Sequence, residues 1–82
     1  MTAEELAGIL QKMRVDAPKD ESSAMAVLFG IRYAEELRQC IADQARNGVS
    51  QTATLKQIDR SYGPTDVWKG MRVARYVIVR PM

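Results

Sequence analysis

Five side chains near the C-terminus, Thr65, Lys69, Arg72, Tyr76 and Arg80, recur every three or four residues. At ~100° per residue they fall on one side of a helix. Three are cations, two carry hydroxyls, and the nearest acid is Asp66. That set suits recognition of a polyanion: ammonium and guanidinium groups for phosphate, forked donors for guanine edges, and a carboxylate able to accept from cytosine. Lys56 and Arg60, one segment upstream, are placed to hold phosphates beside it. The same stripe also fits a helix whose outer face is merely solvated, the commoner fate of charged stripes.

Other chemistries are poorly provided for. The chain has no histidine and one cysteine, Cys40. The usual Cys/His metal site, the commonest general base and every Ser-His or Cys-His nucleophile are thereby removed. No glycine-rich phosphate loop occurs. The expectation is a protein that is no enzyme, with no catalytic residues, metal, cofactor or small-molecule ligand. Cys40 alone cannot build a disulfide framework, which fits a reducing compartment. The N-terminus MTAEEL lacks an export layout and no run of about 18 apolar residues exists, so the expected setting is the cytoplasm, away from membranes.

The elements that would position the stripe read as a helix pair. Thr54 and Gln57 stand at capping-box spacing at the start of a helix reaching residue 62, with Leu55 and Ile58 as its apolar edge. Tyr62-Gly63-Pro64-Thr65 supplies a tight corner, in which Gly63 permits a positive φ and Thr65 can cap the next helix. The helix expected over 65–76 turns Val67, Met71, Ala74 and Ile78 inward, opposite the cations. Such a pair is written like a helix-turn-helix unit. A competing frame uses Gly48-Val49-Ser50-Gln51-Thr52 as the turn and 51–62 as the reading helix. It is the poorer frame, because the preceding segment spaces its small residues wrongly and Asp59 partly offsets Lys56 and Arg60.

Upstream, Thr2 and Glu5 form a capping-box pair for a helix from about Ala3 to Val15, packed through Leu6, Ile9, Leu10 and Met13. Asp16-Ala17-Pro18-Lys19-Asp20 breaks it. Ser22 or Ser23 can cap a second helix with Met25, Leu28 and Phe29 inward. Gly30 weakens that helix by roughly 1 kcal/mol relative to alanine, so residues 22–46 read either as one bent helix or as two with almost no loop. The stripe Tyr33, Leu37, Cys40, Ile41 and Ala45 faces the core, and Asn47-Gly48 closes the helix with a left-handed residue. Ser50 or Thr52 can cap the helix after it.

Tyr76-Val77-Ile78-Val79-Arg80-Pro81 extends the helical stripe, yet Val-Ile-Val favours a strand. A lone strand edge invites pairing with a second copy. Trp68 borders the apolar and basic faces and is more often a core anchor than a contact. Residues 1–50 carry six Lys/Arg against eight Asp/Glu, and residues 51–82 carry six against two. A basic half on an acidic half is the asymmetry of a face that meets a polyanion.

Two stretches, Leu28-Phe29-Gly30-Ile31-Arg32-Tyr33-Ala34-Glu35-Glu36-Leu37 and Lys69-Gly70-Met71-Arg72-Val73-Ala74-Arg75-Tyr76-Val77, together resemble a family of short, stand-alone prokaryotic proteins described as helix-turn-helix-like. The resemblance covers most of the chain. It implies an all-helical fold of the DNA-binding type, and brings no target or catalytic residues with it. The Gly63–Val67 interval is shorter than the wider superfamily uses, which makes the turn atypical.

The expectation is one all-α domain over residues 1–82. It has four or five short helices, a C-terminal helix-turn-helix-like pair and a candidate terminal strand. It would bind double-stranded DNA as a homodimeric transcriptional regulator. The rival is a protein-interaction module using Trp68, Val73 and the Val77–Val79 edge.

Overall fold

Thr2 starts the fold as its spacing with Glu5 predicts. Its hydroxyl accepts from the Glu5 amide at 3.1 Å, and its own amide donates to the Glu5 carboxylate at 3.2 Å. Two of the amides a helix start leaves unpaired are thereby satisfied. The first helix, α1, spans Ala3–Asp16 and buries Leu6 and Leu10, with Ile9 and Met13 packed against the core. The computed structural model describes residues 1–60 and 62–77.

The next helix, α2, spans Ser22–Arg32. Neither serine caps it: Glu21 holds the cap position without a side-chain hydrogen bond, and Ser22 is already helical. The helix passes straight through Gly30 and yields only at Tyr33, after which α3 spans Ala34–Ala45. Residues 22–46 are therefore two helices with a one-residue joint. Tyr33 donates to the Phe29 carbonyl at 2.9 Å and accepts from the Leu37 amide at 2.8 Å, so the bend leaves neither group unpaired. The Phe29 and Tyr33 rings lie 5.2 Å apart inside it.

Within α3, Leu37 and Cys40 are buried and Ile41 half-buried, whereas Ala45, expected on the same stripe, is exposed. The helix is already closing at Ala45. Gly48 takes φ +79°; its amide donates to Ala45 and the Val49 amide to Gln44, the paired reverse bonds of a glycine-closed helix end.

The fourth helix, α4, spans Gln51–Ile58, and Ser50 caps it by accepting from the Ala53 amide at 3.1 Å. The capping box expected at Thr54 and Gln57 is not formed. Thr54 sits mid-helix and fully buried, with its hydroxyl donating back to the Ser50 carbonyl. The fifth helix, α5, spans Thr65–Val73. Gly63 has the expected positive φ of +78°, but Thr65 is the first helical residue and does not cap: Pro64 occupies that position without a side-chain bond. Both C-terminal helices are shorter than expected, since α4 ends before residue 62 and α5 before residue 76.

Among the described residues there are thus five helices and no strand, an all-α fold. Of the expected strand, Tyr76 lies in a turn and Val77 in no regular element; the rest of it, with the Ile78 end of the apolar stripe, lies outside the described residues. No helix is long and apolar enough to cross a membrane. Phe29, Leu6, Leu10, Leu37 and Val67 are the largest fully buried apolar side chains, each contributing roughly 1.5–3 kcal/mol by burial. α2 lies centrally, with α1 on one flank and α5 against it; α4 packs on α1 and α3.

The α2–α5 contact is made backbone to backbone. A methyl group added at Gly30 would lie 2.9 Å from the Gly70 Cα, and closer still to the Val67 carbonyl oxygen. One added at Gly70 would lie 2.8 Å from the Gly30 Cα and collide with the Val27 carbonyl. Gly30 is tolerated mid-helix because this close approach requires it.

Candidate nucleic-acid interface

With Gly70, Val67 and Met71 buried against α2, the helical period turns the opposite side of α5 outward. Thr65, Lys69 and Arg72 are exposed there. Trp68 is 40% exposed, so it stands at the border of the two faces as its spacing predicts, but as a surface residue and not a core anchor. Tyr76 lies past the end of the helix expected to carry it. The helix ends at Val73, the Tyr76 amide closes a tight turn onto the Val73 carbonyl at 2.9 Å, and the side chain is 84% exposed. Arg80 lies outside the described residues.

The upstream cations are also exposed, yet they are not all gathered with Lys69 and Arg72. Lys56 stands on the outer side of α4. Arg60 lies beyond the end of α4, its Nε donating to the Gln57 carbonyl at 3.2 Å. It faces a cleft between α1 and the α4–α5 corner that also receives Glu4. Arg72 instead borders a groove among α3, the start of α4 and α5, where it meets Arg38 and Arg75. Neither of those arginines stands out in the sequence. They sit on different helical registers, and only tertiary packing unites them.

Asp59 has a different role from the one its position predicts. It does not offset Lys56 and Arg60. Its carboxylate is buried and lies 2.6 Å from an Arg14 guanidinium nitrogen, with 2% and 9% of the two side chains exposed. The other Arg14 terminal nitrogen donates to the Ser22 hydroxyl at 2.8 Å and to its carbonyl at 3.1 Å. The Tyr62 ring lies 4.4 Å from the guanidinium carbon, within cation–π range. Arg14 thus ties α1, the start of α2 and the corner leading into α5. Its position in the last turn of α1 suggests only a favourable helix-dipole contact, because a partner 45 residues away leaves no local signal.

Two helix pairs joined by a left-handed glycine are therefore present: α3 and α4 through Gly48, and α4 and α5 through Gly63. α4 packs on α3, whereas α5 finds its main support on α2. A family model described as an HTH-like domain matches residues 2–80. The chain belongs to this family. No curated protein and no solved structure matches it. In this HTH-like domain, the Gly30–Gly70 contact sets α5 against α2, and the buried Arg14–Asp59 pair ties the end of α4, just before the corner into α5, to α1.

Proposed function

We propose that this HTH-like domain is a non-enzymatic protein that binds double-stranded DNA and regulates transcription in the cytoplasm as a homodimer. α5 enters the major groove with Lys69 and Arg72 toward base edges and phosphates, and Thr65 at its start. Tyr76 and Arg80 follow on the segment beyond the helix, while Lys56 and Arg60 hold flanking phosphates. The observation that carries this reading is the exposed Lys69–Arg72 face on a helix whose other side is fixed against α2. Among the described residues, neither cation has a carboxylate within ion-pairing distance.

The test is binding to a random-sequence duplex over a salt series. Affinity should fall as salt rises, and Lys69→Ala/Arg72→Ala should weaken binding and reduce the logarithmic salt slope by about 2. No binding at low salt would sink the reading. Exposure of Trp68, Val73 and Val77 favours a second reading, a protein-docking module; salt-insensitive capture of a protein partner, abolished by Trp68→Ala, would support it. Sedimentation tests the homodimer, and a monomer at all concentrations, with and without DNA, would exclude it.

A further inference from the structure

The groove beside α5 shares Arg72 with the duplex-reading face but is otherwise built from side chains that face does not use. It is a half-open groove of about 240 Å³, smaller than the clefts that take drug-sized ligands. Ile41 and Met71 line it with apolar surface, and the half-exposed Trp68 forms one wall. Arg38, Arg72, Arg75 and the Gln51 amide also line it, and among the described residues no carboxylate does. Arg38 is held at the rim by donating to the Met71 carbonyl at 3.4 Å. Among the described residues none of the three arginines is ion-paired.

An indole wall, an apolar floor, an amide and several guanidiniums are the parts that hold an unstacked nucleobase and its phosphate. A paired base inside a duplex cannot enter, because both of its faces are already stacked. We propose that the groove binds one unpaired nucleotide of the strand engaged by α5. The preferred target is then a duplex carrying a single-stranded end or an extruded base. The base stacks on Trp68, Gln51 meets its polar edge, and Arg38 and Arg75 hold the adjoining phosphate. This rests on the duplex-binding reading and deepens it.

Trp68 is the sole tryptophan, so its fluorescence reports on the groove directly. Four probes separate the cases: a blunt duplex, the same duplex with a thymidine overhang, a short oligothymidylate and a glutamate-rich peptide. The overhang should tighten binding roughly tenfold and quench Trp68. Arg38→Gln, Arg75→Gln and Trp68→Leu, each checked for unchanged helical circular dichroism, should remove that increment and leave blunt-duplex affinity unaltered. Equal affinity for the blunt and overhang duplexes would overturn the inference and leave the duplex reading intact. Quenching by oligothymidylate without duplex binding would overturn the duplex reading and, with it, the duplex-borne target inferred here, leaving the groove a site for single strands alone. Quenching by the acidic peptide alone would assign the groove to a protein partner and overturn the inference.

Discussion

Removing either member of the Arg14–Asp59 pair leaves the other charge in a site from which water is largely excluded. Arg14→Ala or Asp59→Ala should each cost about 3–5 kcal/mol, and the double variant clearly less than the sum; urea unfolding of the three variants measures this. Burial pushes the Cys40 thiol above its ordinary pKa, so the folded state holds the proton more tightly than the unfolded chain does. The stability this provides is present below the unfolded thiol's pKa and is lost as pH rises through the folded one. Iodoacetamide should accordingly modify Cys40 slowly in the native protein at neutral pH, fast in denaturant, and increasingly as the solution becomes alkaline. Equal rates in native and denatured protein would contradict its burial. Cys40 is legible in the sequence because its position on an apolar stripe is a local property. The role of Asp59 is not, because nothing local distinguishes a solvated aspartate from one paired to a guanidinium on the first helix.

At the scale of elements, the glycines divide into those with room and those without. Gly70→Ala must separate α5 from α2 and should destabilise by roughly 1–3 kcal/mol or more. Gly8→Ala, where an added methyl group meets nothing within 4 Å, should stabilise α1 by about 0.5–1 kcal/mol. Thermal melts of the two single variants should move in opposite directions; an unchanged or raised melting temperature for Gly70→Ala would contradict the close approach of α2 and α5. Helix existence is legible from periodicity throughout, and Gly48 marks its helix end correctly. Several boundaries are not legible, for a common reason. Thr54, Thr65 and Ser22 are all competent caps by residue type, and which one caps depends on where the chain enters the helix. Ser50 wins at α4 because its extended backbone, not that of Thr54, precedes the first turn. Tyr33 forms the joint between α2 and α3 while Gly30 stays helical, because packing on Gly70 rewards a straight α2 at that point.

For the molecule as a whole, the reach of the cationic surface around α4 sets how much of a duplex it can cover. If Lys56 and Arg60 each hold a phosphate, Lys56→Ala and Arg60→Ala should each lower the logarithmic salt slope of duplex binding by about 1 without changing sequence preference. Unchanged slopes would confine the contact to α5. The half-and-half division of charge is readable from composition, but the grouping of Arg38, Arg72 and Arg75 is not, since it depends on α3 and α5 meeting across the start of α4. The Gly30–Gly70 seam has a last consequence, for the history of the sequence. Most packed pairs can drift, one side chain growing as its neighbour shrinks. Here neither partner has anything left to give up, so an enlargement at one position can never be balanced at the other. The two sites, about forty residues apart in the chain, act as a ratchet. A library randomised at both should return glycine at each among its folded members, however freely the helices around them vary.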